Sequence, residues 1–536
     1  MASTFSRDAS IAPQALQEAL LGGAELALLD VREARAHVAG HLNLARLAPL
    51  STLELEVRAM VPRLGTPVVL VDAGDPGGPA SRAAALLGRL GYRDVRVLDG
   101  GTGAWQAAGL PLIDGYGTLV KAFGDRVRLH YATPALGGDA LRKRQDAGLP
   151  VTVIDARPAG EYAFLTLPGA SNHAGTELAL RQWPAEPQAP PWAVNCFSRT
   201  RGIIAATTLR LLGHRDVHFV EDGVMQWALD GAPVVQNARP GIELPQAGDE
   251  ELQRRADALI RRYDLPLLRP DAMRRLHDAD DRTLYVFDLR PTARIDDSIA
   301  GVRAVPGGQL LMHFENLVGT RHARIVLLDD PHRLRAAVTA FWLLQLGQAE
   351  VYILDGELPA GWRAEGPLPD PTAAGVGPGL SPARLAALLR TDPERTRVID
   401  VGPSADFERA HLPRARFLLP FTLDPLAALL RDADRIVFSS PDGRAARLAA
   451  RDARERWPAS EFDWLAGGTL AWQAAELPVE QAWEPAQLLT PFEDDWGSVM
   501  RVPAARRDRA WADYLAWERG LGERVVRDPA VRFRLW

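Results

Sequence analysis

Short, continuous apolar runs ending on an aspartate recur four times along the chain: LALLD at Asp30, VTVID at Asp155, TLYVFD at Asp288 and TRVID at Asp400. Runs of this length without polar alternation read as strands buried on both faces, as in a parallel sheet. Each is preceded by a segment of helical periodicity: PQALQEALLGG, ALRKRQDAG, PDAMRRLHDAD and SPARLAALLRTD. Each is followed by a second apolar strand (PVVLVD, PWAVNC, RIVLLDD, DRIVFSS), then a polar loop and a helix. A third strand leads into a glycine-to-tryptophan segment at Trp105, Trp227, Trp362 and Trp472. These tryptophans stand roughly 110 to 135 residues apart, the spacing of whole domains and not of solenoid repeats.

The pattern predicts an α/β fold of four tandem units, each a small parallel sheet flanked by helices, over residues 9–118, 125–238, 266–369 and 378–483. Linkers are expected at QNARPGIELPQAGDEE and EGPLPDPTAAGVGPGLSP. The recurrent tryptophans are expected in the cores. A tail over 484–536 carries Trp496, Trp511, Trp517 and Trp536, with Trp483 at its start. So much aromatic surface is costly in water, so the tail is expected to pack across the units.

Composition narrows the function classes. The 536 residues are 47% hydrophobic and 24% charged, as in ordinary globular proteins, and the net charge of −6 offers no basic field for a nucleic-acid partner. No run approaches the roughly 20 apolar residues that cross a bilayer, and the first residues lack a secretory pattern, so no membrane association and a cytoplasmic location are expected. One cysteine permits no internal disulfide and no cysteine-based zinc cluster. The eleven histidines show no HExxH spacing, so neither a metal nor another cofactor is expected. The pattern fixes no oligomeric state.

That one cysteine, Cys196, closes the strand PWAVNC and opens the loop CFSRTRG before the helix IIAATTLRLLG. A thiol at a strand-to-helix turn meets unpaired backbone N–H groups and the positive helix end, here beside Arg199 and Arg201. Such surroundings favour thiolate over thiol, which makes Cys196 the candidate nucleophile; a buried core cysteine is the alternative. In α/β sheets ligands bind beyond the carboxyl ends of the strands, where Cys196 lies.

These residues resemble the rhodanese (sulfurtransferase) superfamily, and more narrowly its bacterial multidomain members. The marks are Asp155 and Arg157 after the first strand, the six-residue loop from Cys196 to Arg201, the glycine-to-tryptophan segments, and the stretches LVKAFGD and VPGGQL. The resemblance implies two displacements through a Cys196 persulfide, from a small-molecule sulfur donor to a thiol or cyanide acceptor. The backbone N–H groups from Phe197 to Gly202, through Ser198, Arg199, Thr200 and Arg201, would hold the sulfur anion. Asp155 and Arg157 are expected to brace the loop, and His173, Glu177 and Arg181 are candidates for its entrance. Two guanidinium groups favour dianionic thiosulfate over mercaptopyruvate as donor. A mercaptopyruvate enzyme, a persulfide relay, a noncatalytic scaffold and a phosphatase are the competing readings.

Two departures stand out. LTLPGA lacks the histidine of the family's GHIPGA, and Phe197 replaces a small residue, which is expected to narrow access to the sulfur. The other three loops have no nucleophile. Asp72, Asp329 and Ser439 head them, and the two carboxylates are expected to occupy the place of the persulfide and satisfy the loop amides.

Overall fold

The computed structural model describes residues 10–183, 190–239, 244–291, 301–359, 362 and 376–536. The expected linker around 365–382 lies mostly outside them. Among the described residues there are four sheets, each built around three parallel strands in the same spatial order. In the second unit Trp192–Asn195 lies between Val217–Val220 and Thr152–Asp155, with Ala135–Leu136 and Ser171–Asn172 at the edges. Register pairs Asp155 with Asn195, so the chain leaves both strands at the same level and Cys196 is the first residue beyond the sheet. Its strand, WAVN, is buried throughout, which is why the sequence is apolar without alternation.

The first three units share one hydrophobic core. Trp192 and Phe219 of the second unit belong to the same packed cluster as Leu28 of the first and Trp342 of the third. A short strand of the third unit, Thr320–Arg321, also joins the first unit's sheet, antiparallel to Leu26 and Ala27. The fourth unit has cores of its own and meets the first through a bidentate Arg451–Glu54 pair at 2.7 and 2.8 Å.

Trp105, Trp227 and Trp472 are core residues, each giving its indole N–H to a carbonyl six residues on, at Pro111, Pro233 and Pro478. Trp362 is partly buried against His277. The tail crosses every unit. Trp483 and Phe492 pack in the fourth, Trp496 stacks on Tyr116, Trp511 enters the core of the second, and Trp536 lies against Tyr263 and Phe341.

Candidate active site

Cys196 heads a tight loop that turns at once into the helix Thr200–Leu211. Two features fix the turn. The Val224 and Met225 amides donate to the carbonyls of Cys196 and Phe197, both at 3.0 Å. Gly223, at φ +57°, lies so close that a Cβ there would come within 2.3 Å of the Cys196 oxygen, so only glycine fits. With the carbonyls directed outward, no acceptor among the described residues takes the amides from Phe197 to Gly202. They lie at the start of the helix that follows Cys196.

Beneath the loop, Arg157 grips Asp155 through two hydrogen bonds of 2.9 and 2.6 Å, both residues fully buried. Thr166 and Asn195 complete the carboxylate's partners, and the Arg157 guanidinium lies 5.5 Å from the centre of the Phe197 ring. The pair therefore forms a brace.

Around the loop is a shell of paired charges. Arg199 bridges Asp222 at 3.0 Å and Asp125 at 2.8 Å, and Asp222 also receives Arg519 of the tail. Arg201 makes a bidentate pair with Glu161, both bonds 2.6 Å. Burial works against the Arg201 charge, but the Cys196 sulfur and Glu161 outweigh it and raise its pKa. Lys121, from the helix Thr118–Tyr131, lies over the rings of Tyr514 and Trp517. Burial lowers its pKa against the attraction of Glu518 and Glu315. Burial also raises the pKa of Glu518, against the pull of Lys121, Ser198 and Arg199, and puts that of Tyr514 well above its usual value.

The placement of the expected residues is mixed. Cys196 is 3% exposed, yet charged and polar groups line its surroundings. The Phe197 side chain is not a gate over the sulfur: it points into the core of the second unit, edge-on to Trp511 at 5.5 Å. Arg199 is committed to two carboxylates and Arg201 to one, so neither guanidinium is open as expected, although Arg201 also faces the sulfur. Thr200 is buried against Gly124, where a Cβ would come within 2.8 Å of its methyl group. Ser198 faces Tyr514 and Glu518. Of the entrance candidates, Glu177 is paired with Arg335 of the third unit at 2.5 and 3.1 Å. His173 and Arg181 both meet the backbone of Leu244.

Sequence reasoning missed Lys121, Glu161, Trp511, Tyr514 and Glu518. Lys121 is one of only two lysines, and the aromatic density of the tail pointed to packing, but neither signal pointed to this loop.

The other three units serve as internal controls. In the first, Asp72 accepts the amides of Gly74 at 2.8 Å and Ala80 at 2.9 Å; in the third, Asp329 accepts those of Asp330 at 2.8 Å and Ala336 at 3.0 Å. A fixed carboxylate thus accepts loop amides in these two units, at the position that Cys196 holds in the second. In the fourth, register corrects the reading of Ser439: it pairs with Asp400, as Asn195 does with Asp155, so Ser440 holds the cysteine's place. The Ser440 hydroxyl accepts the Ala446 amide at 3.2 Å.

Beside Arg201, a cavity of about 540 Å³ lies between the second and third units, lined mainly by apolar groups such as Ile204, Leu289, Met312 and Trp342.

The profile of the rhodanese-like domain matches residues 12–108 and 138–230. A probable 3-mercaptopyruvate sulfurtransferase of Pseudomonas aeruginosa is 41% identical over 114 residues; the match spans 21% of this chain and 39% of that relative's length. The crystal structure of a thiosulfate sulfurtransferase from Pseudomonas aeruginosa superposes with a TM-score of 0.89 at 33% identity, covering 98% of this chain and 99% of that one. With the full length and all four sheets accounted for, the chain belongs to the rhodanese family of sulfurtransferases.

Proposed function

We propose that the protein is a sulfurtransferase that moves the outer sulfur of thiosulfate to a thiol or cyanide through a persulfide on Cys196. The observation that carries this reading is the open amide nest from Phe197 to Gly202, set against the filled nests of Asp72 and Asp329. A site that accepts a carboxylate oxygen in the sister units suits a terminal sulfur anion here.

In the first step the Cys196 thiolate attacks the outer sulfur of thiosulfate. The S–S bond of the donor breaks, sulfite leaves with the bonding pair, and the new terminal sulfur carries the charge into the nest. In the second step cyanide or an acceptor thiolate attacks that terminal sulfur. The persulfide bond breaks, thiocyanate or an acceptor persulfide departs, and the Cys196 thiolate is restored. Arg201 faces the reacting sulfur as a charge held in place by Glu161, and Arg199 holds the loop to Asp125 and Asp222. The apolar cavity beside Arg201 suits the body of an organic acceptor.

Thiosulfate is favoured because the relative that spans the whole chain bears that name, whereas the mercaptopyruvate relative matches only 114 residues. The test is intact-mass measurement after exposure to thiosulfate or mercaptopyruvate. One sulfur atom gained from thiosulfate, absent in Cys196→Ser, is the expected result. Gain from mercaptopyruvate alone reassigns the donor, and gain from neither removes the small-molecule reading.

A further inference from the structure

Three of the four units pair the aspartate that ends the first strand with an arginine two residues on: Arg32 on Asp30, Arg157 on Asp155 and Arg290 on Asp288. In the first two the same guanidinium reaches one more acceptor, the carbonyl ten residues beyond the aspartate, at Gly40 and Leu165. The fourth unit keeps both acceptors and lacks the cation. Gly402 stands in the arginine's place, and Asp400 is left 3% exposed, with only the Gly402 amide at 2.9 Å and the Ser439 hydroxyl at 2.8 Å as partners among the described residues. Its tenth residue, Ala410, closes the helix Ser404–Arg409 at φ −167°, ψ 126°, against −165°, 129° at Leu165, so the carbonyl is presented in the same direction. No donor among the described residues takes that carbonyl.

The space is open. A cavity of about 290 Å³ is lined by Asp400, Ala410, Asp406 and Gln473, with Leu470 and Arg409 also on its wall. That volume is near the lower end of the roughly 300–1,000 Å³ usual for small-ligand sites. The chain does not refill it from position 402, because a Cβ there would come within 2.6 Å of the Pro441 ring. A buried carboxylate without a cation is costly, and a planar cation with paired donors matches a carboxylate and a carbonyl set side by side.

We propose that this cavity is a binding site for an alkylguanidinium group, which takes the place of the arginine that the sister units supply from their own chain. The ligand's two N–H edges would meet Asp400 and the Ala410 carbonyl, and its alkyl stem would leave past Leu470. Nothing in this proposal depends on the sulfur chemistry at Cys196.

The test is calorimetric titration of the full chain with methylguanidinium chloride, against urea, which has the same shape without the charge, and methylammonium, which has the charge without the fork. Saturable binding of one methylguanidinium per chain, exceeding that of both controls, is expected. Asp400→Asn should weaken it by about tenfold or more, the range for a charged hydrogen bond. Leu470→Trp leaves Asp400 untouched and should block the mouth, which keeps the test sound if the aspartate variant fails to fold. Arg409→Ala removes the one neighbouring arginine able to fill the hole itself, and should bind at least as well as the parent chain. Absence of saturable binding in both the parent and Arg409→Ala, equal binding of methylammonium, or undiminished binding in Asp400→Asn overturns the proposal. A second titration with Nα-acetylargininamide separates the sources: tighter binding than methylguanidinium assigns the site to an arginine side chain of a protein, weaker binding to a free small guanidinium.

Discussion

The second and fourth units turn from strand to helix over loops of equal length, Cys196 to Gly202 and Ser440 to Ala446, and both rest on a buried aspartate. They differ in two atomic details. At the loop head a sulfur stands before open amides in one, while in the other a hydroxyl accepts the Ala446 amide. Under the loop, Asp155 is neutralised by Arg157, while Asp400 has no cation and burial raises its pKa to about 6. The same backbone thus separates two properties: a nest for an anion above the loop and a seat for a cation below it. Units one and three fill both from their own chain, the second leaves the upper one open, and the fourth leaves the lower one open.

The sharpest way to break this comparison is to exchange the loop heads. Cys196→Ser should reduce thiocyanate formation from thiosulfate by about 10³-fold or more, because no other thiol exists to carry the sulfur. In that background Ser440→Cys should acquire one sulfur by mass, slowly for want of an Arg201 counterpart. Asp72→Cys and Asp329→Cys, on longer loops, should acquire none.

Next in size is the brace. Arg157→Ala strands Asp155 as a buried charge, and should lower unfolding stability in urea by about 3–5 kcal/mol. No such arginine exists to remove beneath the fourth loop, so the pH dependence of stability provides its counterpart. The native pKa of Asp400, about 6, lies above the usual 3.8, so between these values the folded chain binds more protons than the unfolded one. Its contribution to stability therefore falls as pH rises from 4 to 6, by up to about 3 kcal/mol, and Asp400→Asn should flatten that slope in thermal unfolding. The smallest effect is expected at Arg201→Lys. This change keeps the charge and loses the fork to Glu161, and should raise KM for thiosulfate about tenfold with little change in unfolding midpoint.

Much of this was legible in the sequence because strand, loop and helix around Cys196 are contiguous. The apolar run gave the buried strand, and the spacing of Asp155, Arg157 and Cys196 put the brace beneath the candidate nucleophile's loop. The fillers Asp72 and Asp329 were legible because each stands at the end of its own strand. Ser440 was missed by one residue, since two adjacent serines look alike until strand register separates them. The charged shell was illegible for a different reason. Glu518 and Tyr514 lie more than three hundred residues from Cys196 and meet it only through the tail. Arg199 and Arg201 advertised positive charge, but their partners Asp125, Asp222 and Glu161 come from separate helices or turns, and no local pattern announces such pairings. Phe197 was misread because the sequence shows its adjacency to the sulfur and not the direction of its ring.

The path of the tail carries a consequence for how the molecule is made. During synthesis Cys196 emerges early, while the helix that supplies Trp511, Tyr514 and Glu518 comes after two further units. A ribosome that stalls in the third or fourth unit releases a chain whose Cys196 loop has its floor and lacks a wall, so completion of that wall reports that translation has run past residue 518.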